Sequence, residues 1–180
     1  SVFGQDKAIK ELCRVVRLSR SGLRDEEKTI GSYLFVGPTG VGKTEIAKAL
    51  AEIMDTKLIR LQCYEGLDVH NSIYEWNYSR QILHIRMMEV EGKSDQESIS
   101  SEIFGSKFLI KRPLYQAIDF EGSSAPVLLI DELDRADEEF EAFLLEILSD
   151  YQISIPEIGT IQAESPPIVV ITSNRTREIH

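Results

Sequence analysis

Cysteine is nearly absent from this 180-residue chain: Cys13 and Cys63 stand alone and far apart, too few for a disulfide framework or a thiolate zinc site. Cys13 falls on the apolar face of a candidate helix and reads as a packed thiol. Long hydrophobic runs are missing too. None approaches the ~18 apolar residues of a membrane span, and the first residues lack the charged-then-apolar order of a secretory signal, so the expected setting is cytoplasmic. Basic residues are scarce, with 20 Lys and Arg against 30 Asp and Glu for a net charge of −10. The acid is concentrated in the second half: residues 1–90 hold 13 basic and 12 acidic side chains, residues 91–180 hold 7 and 18. That distribution argues against a broad nucleic-acid face, and the stripe Arg14, Arg17, Arg20 and Arg24 reads as the solvated side of a first helix. His70 and His84 have no partners at metal-ligand spacing. No internal repeat or low-complexity segment is visible. The length and a 42 % hydrophobic content fit one domain with a sizeable core.

Glycine, by contrast, is clustered where it matters. Residues 37–44 read Gly-Pro-Thr-Gly-Val-Gly-Lys-Thr, a phosphate-binding loop with full GxxxxGK[ST] spacing, placed after the apolar run Tyr33-Leu34-Phe35-Val36. Gly37, Gly40 and Gly42 let the backbone close around phosphate oxygens where a side chain collides. Amides of Pro38–Glu45 that carry an N–H (Thr39, Gly40, Val41, Gly42, Lys43, Thr44 and Glu45), with the helix that follows, supply positive potential. Lys43 is expected to reach the β- and γ-phosphates of a nucleoside triphosphate, and Thr44 to offer its hydroxyl to Mg²⁺. Ile46, Ala47, Leu50, Ala51, Ile53 and Met54 recur at helical spacing behind it.

The rest of the chain alternates strand and helix signals. Asp6 caps a first helix with apolar positions Ile9, Leu12, Cys13, Val16 and Leu23. Residues 57–62 form a second strand, completing a right-handed βαβ unit. Residues 63–126 are the least patterned, with helices expected over 79–91, from a Ser94–Glu97 capping box, and from Pro113. Val127-Leu128-Leu129-Ile130 is a buried parallel strand ending in Asp131-Glu132. Asp137 caps a helix bearing Phe140, Phe143, Leu144, Ile147 and Leu148 on one face. Residues 152–155 and 160–162 form a hairpin about Pro156-Glu157-Ile158-Gly159. The strand at 167–172 ends at Ser173-Asn174.

In an open α/β sheet, ligands sit at the carboxyl ends of the strands. Asp131 can then serve the metal beside Thr44, Glu132 can polarise a water in line with the γ-phosphorus, and Asn174 can hold that water or the phosphate. Position sets Asp131 and Glu132 apart from Asp134, Asp137, Glu138, Glu139 and Glu141, which open an amphipathic helix.

With these motifs in this order the chain resembles an AAA+ ATPase, a ring-forming class that remodels proteins or nucleic acid. Residues 1–52 are similar to the second ATPase module of ClpA-type unfoldases. From about residue 55 the segments LQCYEGLDV, YEWNY, LLIDELDRADEEFEAFLLEILSD and ITSNRTREIH resemble the MoxR-related branch, especially ATPases of carbon monoxide dehydrogenase maturation. The resemblance implies a three-layer αβα sandwich, the P-loop large subdomain with a parallel sheet. In it strand one lies next to the Asn174 strand, then the Asp131 strand, then strand two. It implies an adenine pocket lined by Val2, Phe3 and Gly4, with Ile46 packing there. Tyr64, Trp76 and Tyr78 fall where such rings carry an aromatic pore loop, although core filling is the favoured reading of Trp76. It also implies ATP and ADP as ligands, a protein client and a homo-hexamer; a nucleotide-binding switch or scaffold with little hydrolysis is the alternative, and a DNA-acting AAA+ protein is disfavoured by the acidic charge, with no membrane role expected. Residues 1–180 are expected to form one nucleotide-binding subdomain lacking a fifth strand, helical lid and trans-acting arginine. Arg175 and Arg177 lie too close to Asn174 for that last role.

Overall fold

In the computed structural model the described residues are 10, 14, 31–38, 40, 42–90, 92 and 102–174, His70 by its backbone alone. The helix expected from Asp6 and the capping-box helix at Ser94 lie outside them. Four parallel strands make the central sheet: β1 (Ser32–Val36), β2 (Leu58–Gln62), β5 (Val127–Asp131) and β8 (Ile168–Ser173), in the order β1-β8-β5-β2. This is the order expected from the sequence.

Alternation along the strands divides the core in two, because successive side chains point to opposite faces. Val127, Leu129, Ile168 and Val170 meet Ile46, Ala47, Leu50 and Ala51 of α1 (Lys43–Ile53) on one face. Ile53 is half-exposed and ends the apolar stripe. Leu128, Ile130, Ile59, Leu61 and Val169 face the other way, against a second helical layer. β5 is buried at every position, as a strand covered on both faces must be.

That second layer contains α4 (Pro113–Ile118), which starts with Pro113 in its first turn, where the missing N–H is no loss. It also contains α5 (Glu138–Asp150). The Asp137 carboxylate accepts from the Phe140 N–H at 2.8 Å, a cap worth ~1 kcal/mol. Phe140 and Leu144 are each 1 % exposed, and burying such side chains contributes about 1.5–3 kcal/mol apiece. The hairpin appears as β6 (Gln152–Ile155) paired antiparallel with β7 (Gly159–Gln162).

The poorly patterned middle holds elements absent from the sequence reading. A short helix α2 (Val69–Ile73) leads into β3 (Tyr74–Trp76), which pairs antiparallel with β4 (Leu109–Lys111); between those strands in the chain lies α3 (Tyr78–Val90), the helix expected over 79–91. Trp76, at 7 % exposure, meets the rings of Tyr74 and Phe104 edge-on. It is a core residue. No helix among the described residues is long and apolar enough to cross a membrane.

Candidate active site

Parallel strands end together, so the segments leaving β1, β2, β5 and β8 meet at one rim of the sheet. The Gly37 N–H donates to the Ser173 carbonyl at 3.2 Å and ties the start of the glycine loop to the end of β8. Gly40 and Gly42 hold φ of +82° and +86°, a left-handed conformation that glycine adopts without the penalty other residues meet. A Cβ built on Gly40 meets no atom within 4 Å, so the loop faces open space there. Gly42 also begins α1, whose first-turn amides have no partners within the helix. Pro38 is exposed, and Glu45 points outward to pair with Lys48 at 2.6 Å. Val2, Phe3, Gly4, Thr39 and Val41 lie outside the described residues. Ile46 is 6 % exposed and packs in the core beneath the loop.

Lys43 turns back across the rim. Its ammonium donates to the carbonyls of Gly37, Pro38 (3.2 Å) and Ser173 (2.8 Å) and to Asn174 Oδ1 (2.8 Å). Desolvation holds its pKa below the usual lysine value, against the opposing pull of Asp134, Asp131 and Glu132. Asn174 is then a bridge: its Oδ1 accepts from Lys43 while its Nδ2 donates to Glu132 Oε1 at 3.1 Å.

Asp131 is buried, with its side chain 7 % exposed. One carboxylate oxygen, Oδ1, accepts from the buried Thr172 hydroxyl, which itself accepts the Glu132 N–H at 3.0 Å. The other, Oδ2, lies 3.4 Å from Thr44 Oγ1 and takes two bonds from Arg60, Nε at 3.0 Å and Nη2 at 2.6 Å. Glu132 adopts φ 59°, ψ 48°, a left-handed conformation that costs a non-glycine residue of order 1 kcal/mol or more. This turn breaks the strand's alternation and lets two successive carboxylates serve one site. Glu132 Oε2 accepts from Gln62 Nε2 and from Arg135 Nη1, each at 3.0 Å.

The structure therefore brings together Lys43, Thr44, Asp131, Glu132 and Asn174. Sequence reasoning missed Arg60, Gln62 and Thr172. Gln62 ends β2 much as Asn174 follows β8, but β2 alternates buried and more exposed positions, so its terminal polar residue does not stand out. Cys63, next in the chain, is fully buried, and burial and then the Asp131 charge push its thiol up to about 12. It is a packed thiol, inert at neutral pH. His84 sits in a surface cluster, 3.1 Å from Glu102, which also binds Lys107. Tyr64 and Tyr78 are 48 % and 65 % exposed.

Among the described residues no three His, Cys, Asp or Glu gather as a metal cage. What the rim offers a cation is hard oxygen from Thr44 and Asp131 beside a loop that is open at Gly40. This donor set fits Mg²⁺, which keeps several waters and takes its remaining ligands from phosphate.

A parallel sheet with helices on both faces, a glycine loop that follows β1 and opens a helix, and an Asp-Glu pair at the end of β5, one strand removed from β1, define a P-loop ATPase domain. The family profile described as AAA domain (dynein-related subfamily) matches residues 32–179. The chain belongs to that family, and it is an ATPase domain. It is 33 % identical over 178 residues to the chaperone protein ClpB of Rhodopirellula baltica, covering 96 % of this chain and 17 % of that protein. It is 29 % identical to the negative regulator of genetic competence ClpC/MecB of Bacillus subtilis, over 96 % of this chain and 18 % of that one. A ClpA homolog protein of Fuscovulum blasticum is 55 % identical over 69 residues, which is 38 % of this chain and 9 % of that protein. The crystal structure of a candidate ATPase from Cytophaga hutchinsonii superposes with a TM-score of 0.58 at 19 % identity, over 96 % of this chain and 40 % of that one. The chain thus spans less than a fifth of the Clp relatives' length.

Proposed function

We propose that this chain is one nucleotide-binding domain of a ring, most simply a homo-hexamer, that hydrolyses ATP with Mg²⁺ to remodel protein clients. The observation that carries this reading is a pair of bonded sets beside the glycine loop, Lys43–Asn174–Glu132 and Thr44–Asp131, joined through the Thr172 hydroxyl. In it, Lys43 exchanges its carbonyl partners for phosphate oxygens, which the loop amides and the start of α1 also bind. Thr44 and Asp131 hold Mg²⁺, which supplies positive charge to the phosphates when bound. Glu132 orients and polarises the attacking water, and Asn174 fixes Glu132 and the phosphate end relative to each other. Adenine contacts from Val2, Phe3 and Gly4 belong to the same proposal.

A protein client fits the acidic charge, which disfavours nucleic acid. Exposed Tyr64 supports it too, standing beside an open cleft of about 1110 Å³ lined by Gly66, Asp134 and Asp137. The MoxR-like text beyond residue 55 supports metalloenzyme maturation as the particular task, while the Clp relatives, by name chaperones and a regulator, support unfolding more generally.

The proposed ring predicts a concentration effect. A neighbouring subunit is expected to supply an arginine to the transition state, a contribution of ~10³-fold or more in rate. Specific ATPase activity should therefore rise with protein concentration, in step with ATP-dependent assembly seen by light scattering. A low activity that stays flat across assembly would instead mark a nucleotide switch with little hydrolysis.

A further inference from the structure

We infer that Arg60 is a resident cation at the metal carboxylate, a positioning residue that Mg²⁺ must displace and through which metal occupancy is passed to Glu132. This inference rests on the proposed ATP·Mg²⁺ site and concerns how that site is filled. Thr44 Oγ1 and two nitrogens of Arg60 converge on a single atom, Asp131 Oδ2. A buried carboxylate without a partner is costly, and the guanidinium meets that demand when no metal is present. Any cation entering between Thr44 and Asp131 finds that oxygen already engaged. Arg60 is placed to yield it, because its side chain is 51 % exposed while that of Asp131 is 7 % exposed. The pairing is thus a reversible contact at the mouth of the site.

The same guanidinium bonds onward. Arg60 Nη2 donates to Gln62 Oε1, and Gln62 Nε2 donates to Glu132 Oε2 at 3.0 Å. A continuous path of hydrogen bonds therefore runs from Asp131 through Arg60 and Gln62 to Glu132. The strand register builds it: Gln62 is the Cα partner of Asp131, and Arg60, two residues earlier, shares its face. When Arg60 swings away from Asp131 and Gln62 together, the Gln62 carbonyl loses its charged donor, and the amide keeps only long contacts, at 3.3 and 3.5 Å, to the Cys63 and Asp131 backbone carbonyls beside its bond to Glu132. Among the described residues Glu132 is then held chiefly by Asn174 and Arg135, with Gln62 less firmly placed, and is easier to turn toward a water.

The test uses the full chain with ADP and Mn²⁺ as probes, free Mn²⁺ being read by electron paramagnetic resonance. A half-exposed ion pair is a modest competitor, so Arg60→Met should tighten Mn²⁺ binding to the ADP complex by about three- to tenfold. ADP affinity in chelator reports the phosphate loop separately. A merely structural Arg60 predicts that both affinities fall together, and that result, or a Mn²⁺ affinity within threefold of the parent, overturns the inference. Should Arg60→Met fail to fold, Arg60→Lys decides in the same assay: lysine keeps the charge but loses the planar fork that spans Asp131 and Gln62. Tighter Mn²⁺ binding supports the inference, and equal or weaker binding overturns it. Failure of the underlying site reads differently, as ADP binding by the parent chain that does not respond to Mn²⁺ at all.

Discussion

Glu132→Gln is expected to keep nucleotide bound and to lose turnover by ~10²–10⁴-fold, the usual contribution of a positioned general base. The substitution preserves shape. With its oxygen in the place of Oε2, Gln can still accept from Gln62 and Arg135 and gives up only the bond from Asn174, so the left-handed turn at 132 and the neighbouring Asp131 should stand as they are. What disappears is the negative charge that polarises water. Equilibrium binding of ATP should be unchanged or apparently tighter, because bound ATP is no longer consumed, while phosphate release in a single-turnover experiment should nearly stop. Parent-like phosphate release would remove Glu132 from the chemistry and leave it as a structural acceptor at the strand end.

Lys43→Ala should weaken ATP binding by roughly 100-fold, about 3 kcal/mol, the scale of losing charge-assisted hydrogen bonds to phosphate. Two effects add here. The ammonium charge is lost, and so are the bonds that hold the carbonyls of Gly37, Pro38 and Ser173 and the Asn174 amide in one arrangement. The second effect makes Lys43→Arg an informative companion, since a larger, planar group cannot reproduce a point charge among four acceptors. It too should bind ATP poorly. A fluorescent ATP analogue titrated against each variant, with heat-unfolding midpoints as the folding control, measures both. Parent-like affinity in folded Lys43→Ala would mean that the triphosphate lies elsewhere.

Much of this arrangement was legible because it is written in short, continuous segments. The strands at 127–130 and 167–172 are uninterrupted apolar runs, and runs of that kind belong to parallel strands covered on both faces. Their terminal polar residues, Asp131, Glu132 and Asn174, follow from position alone. The glycine loop carries its meaning in eight consecutive residues. Arg60 and Gln62 escaped because their relevance is non-local. In the text they are the polar members of an alternating strand, LIRLQ, and only the register of β2 on β5 brings them to Asp131.

The small sheet of Tyr74–Trp76 with Leu109–Lys111 escaped for a different reason. Each strand has three residues, too few to display a period of two, and more than thirty residues separate them. Trp76 gave the one usable hint, as a large ring favoured for the core, and the core is where it lies.

The most direct measurement is a calorimetric series of AMP, ADP and ATP against the parent chain, with Mg²⁺ and with chelator. If phosphates are held by the loop at 37–44 beside Thr44 and Asp131, affinity rises steeply from AMP to ADP, and Mg²⁺ strengthens ADP and ATP but not AMP. Equal affinity for all three, with no response to Mg²⁺, would contradict the account at its centre.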